Sequence, residues 1–171
     1  QGNNTGGALS PDGTAIASVL SMDGNTEIYL LDPTDGSILR RLTENRAGDG
    51  EPSWSPSGDR IAFMSDRSGG PQIYIMNADG TDQRRVTFAG NYNTTPDWSP
   101  DGRRIAFTGR DSRNHFDIFI VDIASSAIER VTQDQGDNEH PTWSPGGQYL
   151  VFRSTREGGA SRLWMSTIDG N

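Results

Sequence analysis

Ser10-Pro-Asp-Gly13, Ser55-Pro-Ser-Gly58, Ser99-Pro-Asp-Gly102 and Ser144-Pro-Gly-Gly147 begin 45, 44 and 45 residues apart. Proline in the second place sets the φ of about −65° that a type I turn needs, and glycine suits the fourth, so each phrase reads as a tight turn. An apolar cluster follows every turn: Ala15-Ile-Ala17, Ile61-Ala-Phe63, Ile105-Ala-Phe107 and Leu150-Val-Phe152. Trp54, Trp98 and Trp143 precede three of the turns, and Leu9 stands in that place in the first copy.

Moving outward, each copy has a second cluster: Ile28-Tyr-Leu-Leu31, Ile73-Tyr-Ile-Met76, Ile118-Phe-Ile-Val121 and Leu163-Trp-Met165. Three copies then add Arg41-Leu-Thr43, Arg85-Val-Thr87 or Arg130-Val-Thr132. Asp35-Gly36 and Asp79-Gly80 turn the third cluster into the fourth, and Ala124-Ser-Ser126 predicts a looser turn in the third copy. Short clusters rich in β-branched and aromatic residues, with no amphipathic run of helical length, predict four strands per repeat. Strands nearly continuous in apolar residues must cover both sheet faces, which radial stacking achieves. The fold class is therefore all-β, a β-propeller of four-stranded antiparallel blades, with the Trp residues between blades and the small Ala62 and Ala106 letting sheets approach.

The repeats divide as 1–50, 51–94, 95–139 and 140–171, the last stopping at Asp169-Gly170-Asn171 before its fourth strand. About four blades are present, as in a segment of a larger ring. An open arc leaves an unpaired strand edge and uncovered sheet faces, which predicts self-association.

Composition narrows the function. Fifteen Arg, no Lys and 23 acidic residues give a net charge of −8, which opposes a phosphate backbone and excludes nucleic-acid binding. Although 32% of the chain is apolar, the clustering argues against disorder. No apolar stretch approaches the roughly 18 residues of a membrane span. The absence of Cys removes disulfides and thiolate sites. The chain opens with Gln1-Gly2 rather than Met, as a processed or excised segment would.

In such a blade the turns between strands one and two and between three and four open on one face, and the interblade links and the strand two–three links on the other. The interblade links supply candidate protein-binding residues: Asn3, Asn4, Thr5 and Gly6; Asp49, Gly50 and Glu51; Asn91, Tyr92, Asn93 and Thr94; Asp137, Asn138, Glu139 and His140. Polar side chains with Tyr92 and His140 as anchors suit a protein loop or peptide. The plainer reading is that Asn, Asp and Gly serve the turns themselves. Asp66–Pro71 and Arg110–His115 flank the ring as an outer charged rim.

Catalysis finds little support. His115 and His140 are the two histidines, no Gly-x-Ser-x-Gly accompanies them, and the Ser-Pro serines read as turn starters. Asp23-Gly-Asn25-Thr-Glu27 has alternating oxygen ligands but not the twelve-residue calcium-loop pattern, and reads as a solvated turn. No cofactor or metal site is expected.

The succession Pro-x-Trp-Ser-Pro-Asp-Gly, Ile-Ala-Phe, Ile-Tyr-x-Met, Asp-Gly and Arg-Leu-Thr resembles the WD-repeat-like propeller repeat of the TolB family. The whole chain is similar to that family's last four blades, most closely over the single stretch from Asn3 to Pro56, which includes the tyrosine-bearing third strand. The resemblance implies a six-bladed propeller after a small α/β domain, non-enzymatic, exported to the periplasm. It also implies binding of the lipoprotein Pal and other Tol proteins, in outer-membrane integrity, protein transport and cell division. Asn3, Gly6 and Gly50 match family positions implicated in Pal binding. The α/β domain and first two blades have no counterpart here. The repeat also resembles propellers of prolyl oligopeptidase-like and tricorn-like peptidases, giving a substrate-gating alternative. A carbohydrate- or ion-binding propeller is a third reading, and it requires exposed Trp.

Overall fold

Every regular element is a β-strand in the computed structural model, which describes residues 5–22, 24–133 and 136–169. The first sheet holds β1 (Thr5–Leu9), β2 (Ile16–Ser21), β3 (Thr26–Leu31) and β4 (Ile38–Arg41). The second holds β5 (Asp49–Trp54), β6 (Arg60–Ser65), β7 (Gln72–Asn77) and β8 (Arg84–Arg85). The third holds β9 (Asn93–Trp98), β10 (Arg104–Arg110), β11 (Phe116–Asp122) and β12 (Ile128–Arg130). The fourth, among the described residues, holds β13 (Asn138–Trp143), β14 (Tyr149–Ser154) and β15 (Arg162–Thr167). All are antiparallel with neighbours in sequence order, the arrangement of propeller blades. The inner strands β5, β9 and β13 begin at Asp49, Asn93 and Asn138, two residues ahead of the repeat starts read from the sequence.

The turn phrases close as their chemistry requires. The Oγ of Ser10, Ser55, Ser99 and Ser144 accepts the N–H of Ala15, Arg60, Arg104 and Tyr149 at 3.0, 3.0, 2.9 and 3.0 Å. Each phrase's glycine N–H donates to its serine carbonyl, and Gly102 sits at φ 70°, where a Cβ would be strained.

Among the described residues the core divides into three clusters, one per junction between neighbouring sheets. In the second blade Ile61, Phe63, Tyr74 and Met76 face the first, while Ala62, Ile73 and Ile75 face the third. Strand periodicity of two thus puts apolar groups on both faces, which explains the uninterrupted apolar runs. Truncating fully buried Phe63, Phe107 or Phe152 to Ala costs about 3–5 kcal/mol.

Tryptophan latches the blades. Trp54 Nε1–H donates to the Ala8 carbonyl at 2.9 Å, Trp98 to Ser53 at 3.1 Å and Trp143 to Asp97 at 3.1 Å, each reaching back to the preceding inner strand. Ala17, Ala62 and Ala106 pack in the same clusters as these indoles, and a larger side chain there would hold the sheets apart. Burial of all four Trp was expected; Trp98 and Trp143 are buried, whereas Trp54 and Trp164 are only half-buried.

Candidate protein-binding face

Each inner strand breaks its ladder at the same place. The register slips between Thr5 and Gly7, between Gly50 and Ser53, opposite Ala106 to Thr108, and between Glu139 and Thr142. At these bulges Gly6, Glu51, Thr95 and His140 have φ of 69°, 54°, 51° and 55°. A left-handed conformation costs an L residue roughly 1–2 kcal/mol. Three of the four are not glycine, yet all stand four residues ahead of the turn serine. Pro52, Pro96 and Pro141 follow the three, so the slipped position carries no N–H to leave unpaired.

Bulges re-aim side chains, and these four converge. Gly6–Ala8, Glu51–Ser53, Thr95–Asp97 and His140–Thr142 line one cleft of about 390 Å³ where the inner strands meet. Thr95 N–H donates to Glu51 Oε2 at 2.6 Å across the blade junction. Glu51 is itself exposed, but the inner strands crowded around its carboxyl partly desolvate it and push it up, against the opposing pull of that hydrogen bond and of the His140 charge. His140 N–H donates to Thr108 Oγ1 at 3.0 Å, and Thr108 shares a 2.6 Å hydroxyl contact with Thr95. Asp97 Oδ2 accepts from Trp143 N–H at 2.8 Å and Thr142 Oγ1 at 3.1 Å, and its carboxyl too is pushed up by burial. The cleft therefore offers carboxylates, hydroxyls and an imidazole on a backbone fixed by bulges, a surface suited to a polar protein loop.

The residues read from the sequence fall into two groups. Asn3 and Asn4 lie outside the described residues, and Thr5 begins β1. Gly6, Glu51 and His140 line the cleft. Asn91 is exposed, and Tyr92 packs its ring on Phe116 at 5.6 Å. Glu139 pairs with Arg153 at 2.6 Å, and Asp137 Oδ1 accepts the Phe116 N–H at 3.1 Å. Asp49, Asn93 and Asn138, in contrast, are buried, Asn93 and Asn138 as joints to the preceding blade and Asp49 as a tie between the incoming link and its own blade. Asp49 is bound by Arg67 at 3.0 Å and Asn45 at 2.6 Å. Asn93 donates to Gln72 Oε1 at 2.8 Å, and Asn138 to Asp117 Oδ1 at 3.1 Å. Gly50 and Thr94 are buried as well. Thr95 and Asp97 were missed; counting four and two residues back from the turn serine would have found them. Glu27 is buried rather than part of a solvated turn, its Oε1 accepting from Asn45 N–H and Asn25 Nδ2. Asp23 lies outside the described residues.

Four latched antiparallel sheets with a shared inner cleft define a β-propeller. The chain belongs to the TolB beta propeller domain family, whose model matches residues 1–171. A TolB homolog of Chlorobium luteolum is 44% identical over 68 residues, covering 40% of this chain and 15% of that protein. The Tol-Pal system protein TolB of Bordetella pertussis is 47% identical over 57 residues, covering 33% and 13%. The crystal structure of TolB from Acinetobacter baumannii superimposes with a TM-score of 0.84 at 34% identity, over 96% of this chain and 40% of that one. The chain thus spans less than half of the length of each of these three relatives. Propellers of an oligogalacturonate lyase and a puromycin-hydrolyzing peptidase share 18% and 16% identity, a likeness of fold alone. No helix of the described residues is long and apolar enough to cross a membrane.

Proposed function

We propose that this propeller is a non-enzymatic scaffold of the periplasmic Tol-Pal system, binding Pal on the interblade-link face in support of outer-membrane integrity. The reading rests on family membership together with one geometric observation: four left-handed bulges aim Gly6, Glu51, Thr95 and His140 into a single cleft. Strained backbone retained at equivalent points of four blades, three of them without glycine, is a feature of binding sites.

The test is capture of the purified chain by immobilised Pal. Glu51→Gln with His140→Ala should weaken capture roughly tenfold or more, because each removes a polar contact at the centre of the interface. Unchanged affinity would remove the cleft as the docking surface.

A further inference from the structure

The second and fourth blades share an arrangement that the third lacks. Twelve residues after the turn serine, Arg67 and Arg156 fold back over an aromatic pair. The Arg67 guanidinium lies 5.4 Å from the Phe63 ring and 4.9 Å from Tyr74; that of Arg156 lies 5.3 Å from Phe152 and 4.5 Å from Trp164. Each also donates to the first side chain of its inner strand, Arg67 to Asp49 at 3.0 Å and Arg156 to Asn138 at 3.2 Å. In the third blade the equivalent position is Asp111, which turns away to bind Arg130 at 3.1 Å and the N–H groups of Arg113 and His115.

The aromatic pair is nevertheless present. Phe107 and Phe119 stack with centroids 5.7 Å apart, and the partly exposed Phe119, backed by buried Phe107, floors a pocket of about 540 Å³. Gly109 replaces the serine found at Ser65 and Ser154, and a Cβ there would stand 2.7 Å from the Phe119 ring, so the floor needs this glycine. The inner-strand side chain is present too. Asn93 is buried, its amide nitrogen donating to Gln72 and the Ala89 carbonyl, while its Oδ1 accepts no hydrogen bond from any described residue and lines the pocket. At the rim Arg110 is held flat on Tyr92 and Phe116 at 4.4 and 4.9 Å; the Arg130 guanidinium lies 5.9 Å from the Phe119 ring, toward one side of it, and its charge is matched by Asp111 and Asp117.

We propose that this pocket is a slot for an arginine side chain of a partner protein, its guanidinium stacking over Phe119 and donating to Asn93 Oδ1 as Arg156 does to Asn138. The planar fork of arginine suits both contacts, where the compact ammonium of lysine suits neither as well. A net charge of −8 draws a basic partner toward the chain. The slot also adjoins the proposed docking cleft: β9 gives Asn93 to one and Thr95 to the other, about 7 Å apart along the strand. The inference extends the Pal-binding reading to a second point on the same face, but its test does not use Pal.

The probe is the pentapeptide Gly-Ser-Arg-Ser-Gly, titrated into the full chain by NMR, with citrulline, lysine and glutamate counterparts and free arginine as controls. The arginine peptide should shift the Asn93 side-chain amide and the Phe107 and Phe119 rings, binding roughly tenfold or more tighter than the citrulline and lysine peptides. Asp111→Arg, which installs the missing lid, should abolish the shifts; Phe119→Leu should weaken them with the fold intact by amide spectrum. No response of Asn93 in the wild-type chain, or equal response to citrulline, would overturn the slot. Preference for glutamate would make it an anion site instead, and tighter binding of free arginine than of the peptide would make it a small-molecule site. Loss of Pal capture with this titration intact would sink the docking reading alone.

Discussion

Asp97 carries a charge into a place that disfavours it. Trp143 N–H and the Thr142 and Ser53 hydroxyls all donate to it, but burial outweighs them and its carboxyl is pushed above the ordinary aspartate range. Between the unfolded and folded values the native state holds more protons than the unfolded chain. The stability Asp97 contributes is therefore present below that window and lost as pH rises through it. Asp97→Asn keeps an acceptor for Trp143 and removes the buried charge. The urea midpoint of the variant relative to wild type should accordingly increase from pH 4 to pH 7, and a constant difference would show that the carboxylate is not desolvated. The turn carboxylates act in the opposite sense. Asp101, held low by the Ser99 hydroxyl and the Arg103 N–H, loses its contribution as pH falls, so the comparison must be made as a difference between the two proteins.

At the scale of the element, the Arg-x-Thr motif turns out to be a plug more than a strand. β4, β8 and β12 end at Arg41, Arg85 and Arg130, and the Leu or Val and the Thr beyond them are buried. The hydroxyls of Thr43, Thr87 and Thr132 accept the N–H of Ile28, Ile73 and Ile118 at 2.9, 3.0 and 2.9 Å, and the arginine Nε–H closes on the threonine carbonyl. Thr132 also donates to buried Asp117 at 2.7 Å. Thr132→Val leaves the Ile118 N–H without its acceptor and Asp117 Oδ1 with one fewer donor, Asn138 remaining. It should cost about 1–3 kcal/mol in chemical unfolding; a loss within error would mean that the plug is cosmetic. The turns, the sheet order and the latching tryptophans were legible because each rests on local chemistry or on the repeat itself. The buried joints were not. Asp49, Asn93 and Asn138 sit beside glycines in polar segments, the usual mark of a surface loop, and their partners Arg67, Gln72 and Asp117 lie far along the chain. The bulges were equally hidden, since nothing in Glu51, Thr95 or His140 announces a positive φ.

For the whole molecule, the four blades form an arc whose fourth sheet, among the described residues, ends on β15 with no strand beyond it. Leu163 and Met165 on that strand are 80% and 62% exposed, and an apolar edge strand pairs readily with another chain. Concentration-dependent association is expected in sedimentation velocity, and Leu163→Lys with Met165→Glu should reduce it; a monomer at every concentration would refute this. The indole latches add a direction to the arc. Every one reaches from a blade to its predecessor, so trimming from the amino-terminal side strands a donor in the next blade, while trimming from the carboxy-terminal side merely frees a carbonyl that water can satisfy. Shortened versions should therefore tolerate loss of their tail better than loss of their head, a polarity with no counterpart in the near-symmetry of the sheets.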